Sequence, residues 1–208
     1  MKRLGFVADH VVRDVAELEA LYGTPGEASL IKVADHLTPL YAKWIEASKL
    51  CVVSTVGSDG TDGSPRGDDG PVVRIQDDKT LLMPDWRGNN RIDTLRNIVE
   101  DGRISLMFFV SGSHNVIRIN GTAVVTLDPV LVGQFDDKGK LPRSVVVVTV
   151  AEVYSQCARA LMRAKIWSGH DSSAGLPTIG ELLAEQKAGF DAQAYDEEWA
   201  GRAEKTMW

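Results

Sequence analysis

Between Leu50 and Val153 the chain carries six runs rich in β-branched and large apolar residues, joined mostly by short polar links. They are 50–56, 71–75, 80–83, 103–110, 115–127 and 144–153. Residues stiff at χ1 favour a pleated strand. The links carry turn chemistry: Gly57-Ser58-Asp59-Gly60, Asp77-Asp78-Lys79 and Ser111-Gly112-Ser113. Asp-Gly beside a β-branched run is a hairpin signal, because glycine supplies the positive φ that a twisted turn demands. Parallel neighbours need a crossover of a dozen residues or more, so short links mean antiparallel pairing. One helical candidate, 91–100, interrupts the first five runs. So many strands bury their edges best as a closed or half-closed barrel.

The flanks change to helical period. Leu30, Val33, Ala34, Leu37, Leu40, Tyr41, Trp44 and Ile45 form one apolar stripe. Thr38-Pro39 divides it into two consecutive helices, threonine as cap and proline as first helical residue. Val11 to Tyr22 predicts a short helix ended by Gly23-Thr24-Pro25-Gly26. After Tyr154 the period returns through Cys157, Leu161, Met162, Lys165 and Ile166, ending near Trp167. Thr178 and Glu181 have the spacing of a capping box. The segment from Tyr195 onward is acidic and amphipathic, with Trp199 and Trp208 placed to pack. One domain over 1–208 is expected: a helical segment 1–48, a barrel 49–155 and helices in 156–208.

At 208 residues, 44% hydrophobic and 25% charged, the chain is long enough to bury a core without staples and too apolar to be disordered. A net charge of −6 argues against nucleic acid and anionic membrane as partners. No run approaches the ~18 apolar residues of a membrane span. The opening Met1–Phe6 gives way to Asp9, His10, Arg13 and Asp14, which is no signal peptide. With two cysteines, Cys51 and Cys157, no disulfide framework is expected, and the expected location is cytoplasmic.

The chemistry concentrates in Ser64 to Gly121, where eight positions are basic: Arg66, Arg74, Lys79, Arg87, Arg91, Arg96, Arg103 and Arg118. Arg87 and Arg91 bracket a strand end and a helix start. Asn89 or Asn90 can cap that helix, leaving backbone N–H groups free to meet an anion. Gly88 lets the backbone approach closely. Fork-shaped guanidinium groups and exposed donors are the parts of a phosphate site. The plainer alternative is a solvated loop before a well-capped helix. His10, His36, His114 and His170 are isolated, so no metal is expected. Cys157 falls on a helical apolar face, as a buried small residue rather than a nucleophile. The chain lacks Gly-x-Ser-x-Gly, Gly-x-Gly-x-x-Gly and the Walker phosphate loop. Asp196-Glu197-Glu198 has the look of a solvated helix face.

These motifs together resemble the pyridoxamine 5′-phosphate oxidase-like family, within a bacterial branch of the FMN-binding split-barrel proteins. The resemblance is carried by Ser64-Pro65-Arg66-Gly67-Asp68, Pro84-Asp85-x-x-Gly88-Asn89-x-Arg91, Arg118-x-Asn120-Gly121 and Cys157-Ala158-x-Ala160-Leu161-x-Arg163. It runs from about Leu30 to Trp167. It implies a six-stranded, Greek-key-type antiparallel split barrel, mainly β with flanking helices, working as a homodimer with FMN in clefts between subunits. The phosphate would lie around Asn89, Asn90 and Arg91, with Arg66 and Arg87 as further donors. Val72, Val73, Pro84 and Asp85 would line the isoalloxazine ring. Asn115, Val116 and Arg118, with Arg163 and Trp167, would come from the partner subunit. The oxidase members carry Arg-Lys at the phosphate where this chain has Asn90-Arg91, so FMN binding carries over further than vitamin B6 oxidation. The implied activity is an FMN-dependent oxidoreductase acting on a small molecule, with NADH or NADPH as candidate donor. A flavin-binding or sensor module without turnover is the alternative. A phosphohydrolase is a third, weaker reading that lacks a metal-carboxylate cluster.

Overall fold

The computed structural model describes residues 10–206. Trp208 and the opening Met1–Phe6 lie outside the described residues. The chain divides into two compact units, one ending at Val33 and the other beginning at Ala34. In the first, α1 (Val15–Tyr22) starts where Asp14 Oδ1 accepts the Glu17 N–H at 2.8 Å, and it ends at Gly23 with φ 71°. A short α2 (Glu27–Ile31) follows. The stripe expected to run on through Leu37 stops being helical there. In the second unit Ala34 forms a bridge to Val153, and Leu37 reaches the core from non-helical chain.

The second unit opens with α3 (Pro39–Glu46), capped by Thr38 with Pro39 at its first position, as its sequence predicts. The strands are β1 (Leu50–Gly57), β2 (Gly60–Gly67), β3 (Arg74–Ile75), β4 (Thr80–Asp85), β5 (Arg103–Phe109), β6 (Val116–Thr126) and β7 (Ser144–Gln156). Between them lie α4 (Asp93–Glu100) and α5 (Pro129–Gly133). The strands form one antiparallel sheet in the order β2-β1-β5-β6-β7-β4-β3. The sheet has seven strands where six were expected. The missed one is β2, whose glycines, proline and polar residues carry no strand signature. It survives because it stands at the end of the sheet order, where proline need not donate to a second neighbour.

Alternation builds the core. Cys51 and Val53 from β1, Leu106 and Phe108 from β5, and Ile117 and Ile119 from β6 meet the Ile45 side chain of α3 and Ile98 of α4. Each buried aliphatic or aromatic side chain contributes roughly 1.5–3 kcal/mol. Along β7 the core residues are Val146, Val148 and Val150, then Val153. The change of parity comes from a bulge: Asn120 pairs with Glu152 and Gly121 with Val150, which leaves out Ala151. A Cβ on Gly121 would sit 2.0 Å from the Thr149 carbonyl oxygen, so only glycine admits this approach.

β7 runs on to Gln156, past the point where the helical period was expected, because Tyr154 and Gln156 still pair with Arg118 and Val116. The helix after it, α6, is Arg159–Ala164. Cys157 lies outside both elements and is exposed, contrary to its expected burial; Cys51 is the buried cysteine. Then come α7 (Ile179–Gln186), with the capping box of Thr178 and Glu181 in place, and α8 (Ala192–Thr206). Among the described residues no helix is long and apolar enough to cross a membrane.

Candidate functional site

The ends of β2 and β4 meet although the two strands are not neighbours in the sheet. Arg66 is opposite Cys51 and so faces the core side at the end of β2. Its Nη2 lies 3.7 Å from Oδ1 of Asp85, the last residue of β4, and its Nη1 donates to Ser64 Oγ at 3.1 Å. Around this pair is a cavity of about 410 Å³, walled by Val72, Pro84, Trp86, Arg87 and Gly88. The Trp86 indole Nε1 donates to Asp68 Oδ2 at 3.0 Å, tying the loop after β4 to the loop after β2. A second cavity of about 290 Å³ shares Arg66, Asp85, Trp86 and Gly88, and continues past Asn89, Asn90, Arg91 and Leu127 to Arg143.

Arg143 is the residue that sequence reasoning missed. The antiparallel pairing of β4 with β7 ends at Asp85 and Ser144, which sets Arg143 beside the end of β4. Its backbone N–H donates to the Asp85 carbonyl at 3.1 Å and its Nη1 donates to Asn90 Oδ1 at 2.7 Å. Asn90 itself has φ 62°, a left-handed conformation that asparagine tolerates better than most residues. The only trace of this in the sequence is a basic stretch, Lys138 to Arg143, leading into the last β-branched run.

The helix start was expected at Arg91 with an asparagine cap. Instead α4 begins at Asp93, and no side chain caps it. Asn89 Oδ1 accepts the Arg91 N–H at 3.0 Å, a local turn rather than a helix cap. The Arg91 guanidinium pairs with Asp93, and its side chain is 80% exposed.

Burial pushes the Asp85 carboxyl above its ordinary pKa, against the pull of Arg66 and Arg143. Burial also pushes the Cys51 thiol up to about 12, which Arg66 opposes. At neutral pH that thiol is protonated and inert. The site therefore offers guanidinium groups and apolar walls together. It can hold a molecule with an anionic end and a flat, apolar end.

Of the expected residues, the structure brings Arg66, Val72, Pro84, Asp85 and Arg87 to the larger cavity and Asn89, Asn90 and Arg91 to the smaller. Val73 turns away: it is buried in the core and lines a separate cavity with Arg74 and Phe135. Asn115 precedes β6, and Val116 and Arg118 lie at its start. There Ile117 and Ile119 take the core, so Val116 and Arg118 face the other side of the sheet from Arg66. Trp167 belongs to the same corner, its Nε1 donating to the Ser113 carbonyl at 2.6 Å. Arg163 is exposed on α6. Arg118 stacks 5.3 Å from the Tyr154 ring centroid and reaches Gln156 Oε1 at 3.5 Å, while its buried Nε has no hydrogen-bond partner.

The profile of the family described as pyridoxamine 5′-phosphate oxidase matches residues 37–157, which takes in every strand. The chain belongs to that family. Its antiparallel sheet with flanking helices is the family's split barrel. No curated protein matches the chain. Among solved structures it is similar to HupZ of Group A Streptococcus, 21% identical over 57% of this chain and 93% of that one, with a TM-score of 0.48. General Stress Protein 26 from Bacillus anthracis is 16% identical over 55% and 88%, with a TM-score of 0.42. An FMN-binding protein from Syntrophomonas wolfei is 16% identical over 56% and 80%, with a TM-score of 0.41. The family match leaves out the two C-terminal helices α7 and α8.

Proposed function

We propose that this member of the pyridoxamine 5′-phosphate oxidase family is a homodimeric FMN-binding oxidoreductase acting on a small molecule. The observation that carries the reading is the pair of cavities that share Arg66, Asp85, Trp86 and Gly88, one adding Val72, Pro84 and Arg87 and the other Arg91 and Arg143. Their size falls in the range of about 300–1,000 Å³ typical of small-molecule sites. The residues suit the cofactor: a dianionic phosphate takes fork-shaped guanidinium donors, and a flat ring takes apolar walls. FMN, when bound, supplies the redox chemistry. The protein's share is to hold the phosphate with Arg66 and Arg143, to set the ring against Pro84 and Trp86, and to exclude water there.

Register supports the dimer. Arg66 and Arg118 face opposite sides of one sheet, so a ligand touched by both draws on two chains. The face of Arg118 suits a seam. Leu50, 42% exposed, shares it with the half-buried Val52, Met107 and Phe109.

The test is the visible spectrum of the purified protein titrated with FMN, with mass measured in parallel. Shifted flavin bands in a dimer support the reading, and an unshifted spectrum overturns it. Reduction of bound flavin by NADH or NADPH then separates an oxidoreductase from a carrier.

A further inference from the structure

The helices α7 and α8 pack on each other with little to hold them. Gly180 is pressed against α8, where a Cβ would lie 2.4 Å from the Ala192 carbonyl oxygen, and its N–H donates to Asp196 Oδ1 at 2.9 Å. Phe190 tilts onto Tyr195 with ring centroids 5.6 Å apart. Yet Gly180 is the one buried residue described in 169–205. Ile179, Leu182 and Trp199 are 59%, 43% and 57% exposed. A pair of helices this small does not close a core of its own; below about 40 residues a fold needs staples or a partner.

Three observations say what covers it. The first is charge: 179–205 carries seven carboxylates against three cations. The second is a surface of matching character. The mouth of the smaller cavity presents Arg91 and Arg143, with Ile92 49% and Leu127 75% exposed beside them. The third is the path of the chain. β7 ends at Gln156, paired with Val116 on the face assigned above to the seam, and Trp167 is anchored to Ser113 at the same corner. Residues 168–178 then span up to about 35 Å when extended.

We infer that α7 and α8 of one protomer dock across the mouth of its partner's arginine cleft, carboxylates toward the exposed Arg91, Leu182 and Trp199 toward Ile92 and Leu127. This rests on the dimeric flavin site proposed above. The helices then act as a cover supplied in trans, shielding the cofactor from solvent.

The experiment places a photocrosslinker in the full-length chain as Trp199→p-benzoylphenylalanine, and as Leu182→p-benzoylphenylalanine in a second variant. Irradiation is followed by denaturing electrophoresis and peptide mapping, with FMN binding recorded on each sample. The expected result is a covalent dimer, linking position 199 or 182 to 87–96 or 124–127. Covalent product only at monomer mass, or a link elsewhere, overturns the docking. FMN binding without the interchain link removes the cover alone. The link without FMN binding keeps the docking and removes the flavin reading.

Discussion

The cleft floor and the entrance to α4 both carry arginines, held in different ways. On the floor, Arg66 is 29% exposed and braced by Ser64 and Asp85; Arg143, exposed at the mouth, is at least oriented by its bond to Asn90. At the entrance, Arg91 is 80% exposed and spends its guanidinium on Asp93, two residues away. A pre-oriented, partly desolvated cation gains more from a phosphate than one that water already solvates and a neighbouring carboxylate already pairs. On the proposed flavin reading, the charge expected to grip the phosphate is the one the tertiary structure holds, not the one most conspicuous beside a helix start.

The largest effect is expected at Arg66. Arg66→Ala should weaken FMN binding by about 10- to 150-fold, the roughly 1.5–3 kcal/mol of a charge-assisted contact, read by flavin fluorescence titration. Arg143→Ala should cost about 5- to 10-fold, and limited proteolysis should cut faster within 86–92 because Asn90 loses its tie. Equal losses at Arg66 and Arg91 would erase the distinction between floor and entrance.

Asp85 sharpens the comparison with the opposite sign. Its carboxylate competes with phosphate for Arg66, so Asp85→Asn should tighten FMN binding several-fold near neutral pH. The same residue carries a stability signature. A carboxyl whose folded pKa is raised takes up a proton on folding between its unfolded and folded values. Wild-type stability should thus fall as pH climbs through the window just above the ordinary carboxylate range. In Asp85→Asn that fall should vanish from thermal melts. Arg91→Ala should change affinity only a few-fold. Arg103→Ala should leave it unchanged, since that guanidinium is engaged by Asp101 on the exposed end of β5.

What was legible in the sequence follows the same divide between local and long-range causes. Strands β1, β5 and β7 announce themselves because alternation and β-branching are local. So do the caps at Thr38 and Thr178, which involve residues within one turn. β2 was illegible because its pairing depends on β1, not on the propensity of Gly-Thr-Asp-Gly-Ser-Pro-Arg-Gly. Val73 lines a different cavity from Val72 because neighbouring valines point to different surroundings. Asn89 and Asn90 satisfy the local pattern of a cap, but tertiary contacts claim Asn90 for Arg143 and shift the helix start to Asp93. Arg143 lies 53 residues from Asn90, and only the β4–β7 register joins them.

The measurement that bears most directly on the phosphate grip compares FMN with riboflavin, which has the same ring and no phosphate, in wild-type protein and in Arg66→Ala. Wild type is expected to bind FMN at least tenfold more tightly than riboflavin, and Arg66→Ala to narrow this gap while leaving riboflavin affinity nearly unchanged. Equal affinities of wild type for the two flavins would contradict it.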